Sequence, residues 1–193
     1  MSTATAPTTR TVDGQELPPV GTYDLDVSHS TVGFFVKHLM VAKTRGRFGQ
    51  FHGTVVIADD PLQSSVDVEI DMASVDTRDE GRDDHLRSPD FFDVERYPTM
   101  TYRSTAVTAA GNGKWAVDGD LTAHGVTQPV RLLVDFEGGV TDPWGNARAG
   151  FSATAEVDRE AFGITFNQVL EGGGVMVGKK VTIEIEAEAF RQV

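Results

Sequence analysis

From Thr22 onward, apolar and polar residues alternate with a period of two, and this rhythm limits the possible folds more than any other feature of the chain. Successive side chains leave a β-strand on opposite sides, so a period of two belongs to strands with one buried face. Between Asn146 and Asp158, Ala147, Ala149, Phe151, Ala153, Ala155 and Val157 share one side, opposite Arg148, Ser152, Thr154, Glu156 and Asp158. Near the C-terminus Val177, Val181, Ile183, Ile185, Ala187 and Ala189 alternate with Lys180, Thr182, Glu184, Glu186 and Glu188. Strands also follow through Val66–Ile70, Val117–Ala123 and Val130–Phe136, with weaker ones over Thr31–His38, Arg45–Ala58 and Thr99–Val107, eight in all.

Asp59-Asp60-Pro61, Gly111-Asn112-Gly113, His124-Gly125 and Asp142-Pro143-Trp144-Gly145-Asn146 carry turn chemistry, and turns this short make neighbouring strands antiparallel. Between Ala73 and Pro98 the alternation stops. There Thr77 and Glu80 have capping-box spacing, and Ser88-Pro89 reads as an N-cap followed by proline, so a short helical insert is expected over Ser74–Phe92. An open sheet of eight strands leaves two sticky edges, whereas closure removes them and leaves an interior that holds one small ligand. The expected fold is all-β, an eight-stranded antiparallel barrel; a two-sheet sandwich satisfies the same alternation.

Seventeen basic against 29 acidic side chains leave a net charge of −12, a field that opposes nucleic acids and anionic membrane surfaces. The absence of cysteine removes disulfides, thiol nucleophiles and cysteine-based metal sites. Residues 1–20 are rich in Thr and Ala and lack an apolar run of signal-peptide length, so they are expected to form a flexible tail before one domain over residues 21–193. No stable membrane insertion and a cytoplasmic location are the matching expectations.

The most specific stretch is Arg82-Asp83-Asp84-His85-Leu86-Arg87-Ser88, followed by Asp90-Phe91-Phe92-Asp93-Val94 and Tyr97-Pro98. Around it stand Asp26, Ser28-His29-Ser30, Val32-Gly33-Phe34, His38-Leu39-Met40, Gly46-Arg47-Phe48, Gly119, Leu121-Thr122, Gly125-Val126-Thr127, Pro129-Val130, Gly150-Phe151, Arg159 and Phe162-Gly163. In this order they resemble the YceI-like family, the lipocalin-like polyisoprenoid-binding proteins, over roughly Gly21 to Ala189. The resemblance implies a lipocalin-like barrel with a helix beside it and a long cavity that takes an isoprenoid or similar aliphatic lipid. It implies no catalytic residues and no cofactor. Many members of that family carry an export signal, and none is visible in this sequence.

Eleven of the sixteen aromatic residues are Phe, which suits a wall of rings needing no polar partner. Val32, Phe34, Val36, Phe48, Phe91, Phe92, Met100, Phe151 and Phe162 are the expected wall, with Thr154 facing solvent. Arg45 and Arg159 border strand ends beside Phe48 and Phe162, where a guanidinium could reach a polar headgroup or equally one of the many acids. The five histidines show no metal-ligand spacing, so no metal is expected. Ser28-His29-Ser30 with Asp24 and Asp26 lacks a nucleophile elbow and reads as a turn, and the charged run from Asp79 to Asp90 reads as a solvated helix face. Gly172-Gly173-Gly174 reads as a mobile loop near the cavity mouth. Two other readings compete with lipid binding: a lipid-modifying isomerase or cyclase on the same barrel, which needs an inward polar trio, and a haem or metal binder using His38 or His29. A homodimer is compatible with all of them.

Overall fold

The computed structural model describes residues 8–169 and 174–192. The chain runs through β1 (Arg10–Val12), β2 (Gln15–Leu17), β3 (Gly21–Leu25), β4 (Thr31–His38), β5 (Ala42–Phe48), β6 (Phe51–Ile57), β7 (Ser65–Asp71) and β8 (Val75–Asp76) to helix α1 (Glu80–Arg87). Five longer strands follow: β9 (Thr99–Gly111), β10 (Lys114–Ala123), β11 (Val126–Thr141), β12 (Ala147–Asp158) and β13 (Val177–Arg191). From β3 onward they form one antiparallel sheet, closed into a ring because β13 pairs with β12 and also with β3 and β4.

Three positions in that ring are bent strands made of two pieces, β3 with β4, β5 with β6 and β7 with β8. Counting each pair once gives an eight-stranded barrel. The single strand expected over Arg45–Ala58 is thus broken at Gly49 and Gln50, where Gly49 N–H donates to Ser74 O at 3.1 Å. Neighbouring kinks are started by aspartates: Asp26 accepts from Ser28 N–H at 3.1 Å, and Asp71 from Ala73 N–H at 2.9 Å. Each carboxylate satisfies a donor that the interrupted ladder leaves over.

The helical insert is shorter than expected. Asp79 caps α1, accepting from Arg82 N–H at 3.0 Å, while Thr77 is buried and donates its N–H and its hydroxyl to Asp83 at 2.8 and 2.6 Å. Asp83 is buried as well, so the charged run is not wholly a solvated face. Ser88 ends the helix instead of starting one, because a residue before proline is driven to extended backbone; its φ is −70° and ψ 169°. Phe91 and Phe92 therefore lie in the turn beyond α1.

Residues 10–17, expected within a flexible tail, form a hairpin. Asp13 (φ 50°) and Gly14 (φ 79°) make its two-residue turn, and Arg10 pairs with Leu17 at its open end. Leu17 joins the main apolar cluster with Val107 and Trp115, and Pro18 is fully buried. The Arg10 guanidinium donates to the carbonyls of Asp59 at 2.8 Å, Pro18 at 3.2 Å and Ala58, which fixes the hairpin across one end of the barrel. The opposite end carries α1, the β4–β5 turn and the His124-Gly125 turn.

Candidate functional site

The inward faces of the ring enclose a cavity of about 480 Å³, reaching from Leu17 and Pro18 at the hairpin end to His38, Arg159 and Val177 at the helix end. That size is ordinary for a cavity that swallows a small ligand. Val32, Phe34 and Val36 face it from β4, Phe48 from β5, Met100 from β9 and Phe151 from β12. Phe91 and Phe92 reach it from the turn after α1, and Phe162 from the short 3-10 helix that follows β12. Rings meet along the wall, with centroids 5.6 Å apart for Phe34 and Phe48 and 6.0 Å for Phe48 and Phe92. Gly46 makes room for the first of these, since a Cβ there would lie 2.4 Å from the Phe34 ring. Thr154 is exposed on the outer face.

The two arginines separate. Arg159 lines the cavity and is 5% exposed, with its guanidinium donating to Gly178 O at 2.9 Å, Ile164 O at 2.7 Å and Val177 O at 3.3 Å. Burial pulls its pKa down, while the nearby acids Glu160 and Asp158 oppose that shift. Arg45 does not border the cavity, and its expected place beside a bound headgroup is corrected. It pairs across the strands with Phe35, lies against that ring on the outside of the barrel, and bridges to Glu184 at 2.6 Å. The reason is strand parity: Phe48 points inward, and an odd number of residues away the side chain must point out.

Several wall residues escaped the sequence reading. Tyr102 lies two positions beyond Met100 on the same face, its ring covering Gly119 and its hydroxyl donating to Val117 O at 2.9 Å. Trp115 and Val117 share the inward face of β10, and the buried indole N–H of Trp115 has no hydrogen-bond partner among the described residues. Alternation carried through Thr99–Val107 and Val117–Ala123 reaches Tyr102 and Val117, and one step before Val117 reaches Trp115. Phe166, which stacks between Phe91 and His85 at 5.1 and 4.9 Å, follows β12 in a non-repetitive stretch with no such signal.

A polar cluster sits outside the cavity at the hairpin end. Arg148 donates to Asp26 and Glu188 at 2.6 Å each and to Asp142 at 2.9 Å. Hydrogen bonds from Ser28, Arg148 and His29 hold the Asp26 carboxyl well below its ordinary pKa, and hydrogen bonds to Asp26, Asp142 and Glu188 raise that of Arg148. Burial pushes Asp142 up, but Asn146, Arg148 and backbone N–H groups outweigh it and hold Asp142 low too. Ser28 Oγ and Asp26 Oδ2 both approach the same His29 nitrogen, Nδ1, at 3.0 Å, whereas a Ser-His-Asp relay needs both ring nitrogens. Asp26, His29 and Glu188 are near enough together to ligate a cation, yet the Arg148 guanidinium already bridges the two carboxylates. His38 lies at the cavity's helix end, His85 bonds Asp90 at 2.9 Å and His124 bonds Phe162 O at 3.0 Å. Gly172 and Gly173, expected in a mobile loop, lie outside the described residues.

Comparison with known proteins gives consistent matches. The YceI-like domain matches residues 23–189. A UPF0312 protein of Vibrio cholerae is 42% identical over 144 residues, which covers 73% of this chain and 75% of that protein. The crystal structure of Burkholderia cenocepacia BcnA superposes with a TM-score of 0.75 at 27% identity, covering 85% of this chain and 98% of that one. A polyisoprenoid binding domain from Saccharophagus degradans, implicated in plant cell wall breakdown, has a TM-score of 0.65 at 15% identity over 90% of this chain and all of its own, a likeness of fold. No helix among the described residues is long and apolar enough to cross a membrane.

Proposed function

The chain belongs to the YceI-like family, and from that membership we propose that it holds one long apolar lipid, an isoprenoid or similar aliphatic chain, inside the barrel for storage, transport or sequestration. The observation that carries this reading is the cavity itself, walled by Val and Phe side chains along its length. Burial is worth about 0.8 kcal/mol per CH₂, so some twenty groups give roughly 16 kcal/mol, against association costs of about 4 to 15 kcal/mol. Apolar contact alone is then enough to hold a chain of that length. In this reading Val32, Phe34, Val36, Phe48, Met100 and Phe151 touch the chain's middle, and Phe91, Phe92, Phe162 and Arg159 surround its helix-end portion. The same lipid would be bound in the membrane with similar free energy, so exchange is close to balanced and the rate is set by opening of the barrel end.

A binding role fits the polar groups of the wall better than catalysis does. Each nitrogen of the Arg159 guanidinium donates to a backbone carbonyl, and the hydroxyl of Tyr102 donates to Val117 O. Solvent extraction of the purified protein followed by mass spectrometry is expected to yield a long-chain lipid. With that lipid in hand, Phe34→Leu and Phe151→Leu should each weaken binding several-fold, while Thr154→Leu leaves it unchanged. Leucine keeps the wall apolar at nearly the same volume, so the comparison isolates ring contact from simple cavity loss. Extraction that returns no lipid, or full affinity in both Phe variants, ends the proposal.

A further inference from the structure

The turn between β4 and β5 combines three unfavourable features in one place. In the three-residue loop between the paired His38 and Ala42, Leu39 (φ 50°) and Met40 (φ 61°) both hold left-handed backbone at the centre of a tight turn, closed by Val41 N–H donating to His38 O at 3.1 Å. Asn and Gly are the residues that adopt this conformation without strain, and bulky Leu and Met do not. The same residues are apolar and exposed: Met40 is 55% and Val41 85% accessible to solvent. Directly below the tip, Lys37 faces Lys43 across the strand pair, and neither lysine has an ion-pair partner among the described residues. Two like charges in register repel one another, and in a chain of net charge −12 carboxylates to neutralise them are plentiful.

Strain, exposed apolar surface and unneutralised cations share one location, and it is at the cavity's helix end, where Lys37 and His38 belong to the lining. We propose that this tip docks on an anionic phospholipid bilayer, Leu39, Met40 and Val41 entering the interface while Lys37 and Lys43 meet the headgroups. The overall negative charge does not forbid this. Fields are screened within about 8 Å at physiological ionic strength, so the lysines at the contact outweigh distant acids. Docking here would set the end of the apolar cavity against the reservoir of its cargo, and in that respect the inference rests on the lipid-carrier reading above.

The test uses delipidated full-length protein and vesicles of phosphatidylcholine, with or without phosphatidylglycerol, in a flotation assay. Wild type is expected to float with the anionic vesicles and to be released by salt. The double variant Leu39→Asn/Met40→Gly suits the turn better, so its melting temperature should rise while its partitioning drops about tenfold or more. Lys37→Gln and Lys43→Gln should each cost about fivefold, on anionic vesicles only. Wild type that floats with neither vesicle, or an Asn-Gly variant that partitions like wild type, overturns the proposal. So does a wild-type dimer that the Asn-Gly variant splits in sedimentation, which would make the tip a contact between copies of the chain. Lipid extracted from a protein that ignores vesicles would leave the carrier reading standing without the docking, and vesicle binding by a protein that yields no lipid would do the reverse.

Discussion

Arg148, near the start of β12, and Arg159, the residue just after its end, are compensated in different ways. At the hairpin end Arg148 meets three carboxylates, from Asp26, Asp142 and Glu188, in a cluster outside the cavity. At the helix end Arg159 donates to three backbone carbonyls and, among the described residues, to no carboxylate, and it lines the cavity. Carboxylates cancel a charge, whereas carbonyl dipoles only solvate it. One end of the barrel is thus electrically closed as well as blocked by Leu17. The other keeps a positive charge in an apolar wall, at the same end as Lys37 and Lys43, which have no ion-pair partner among the described residues, although Lys43 lies over the Phe35 ring. The asymmetry gives the cavity a polar direction that its Val and Phe lining alone would lack.

The strongest challenge to this comparison is Arg159→Leu. It would strand three acceptors that the guanidinium now serves and should cost about 3 kcal/mol of stability in urea unfolding. A variant of unchanged stability would mean that the carbonyl cage is incidental. Next in size is Arg148→Gln, expected to lower the melting temperature at neutral pH by several degrees, because three converging carboxylates lose their shared cation. The pH profile sharpens the point. Asp26 and Asp142 titrate below their ordinary value of 3.8 in the folded protein, so their contribution is complete above that pH and is lost as acid takes the solution below it. Arg148→Gln should flatten this acid limb, while Arg159→Leu should leave its shape alone. Smallest of all is Arg45→Gln, which removes an exposed pair with Glu184 and an exposed contact with the Phe35 ring and should change stability by less than about 1 kcal/mol, with lipid binding unaffected.

How far the sequence could be read follows from what strand parity can and cannot carry. Parity is reliable inside an uninterrupted strand, so β12 and β13 and the inward places of Phe34 and Phe151 were legible. The same rule, applied from Phe48, would have turned Arg45 outward. Nearness in sequence to an aromatic does not decide which face of a strand a side chain takes. Parity fails where a strand bends, which is why β3, with Tyr23 as its one buried side chain, went unread and why β5 and β6 merged. The N-terminal hairpin left a different trace. Asp13-Gly14 is the dipeptide that favours a tight hairpin turn, but strands of three residues are too short for alternation to register beside it. The role of Thr77 depended on a spatial partner, Asp83, whereas Ser88 ends the helix because of Pro89 beside it, and both signatures fitted a helix boundary at more than one register.

The closure of the ring by β13 also has a meaning in time. The strand that seals the barrel is the last to be made, and it pairs Ala189 with Leu25 of the first barrel strand as well as lying along β12. Until it emerges, everything already synthesised is an unfinished sheet with two free edges, and a ribosome adding about 5 to 20 residues per second leaves them bare for many seconds. The edges of β4 and β12 that β13 will cover include Val32, Phe34, Phe151 and Ala153, the same apolar stretches that later form the wall. The nascent chain therefore carries an adhesive strip that exists only before completion, and truncation anywhere short of β13 would make it permanent.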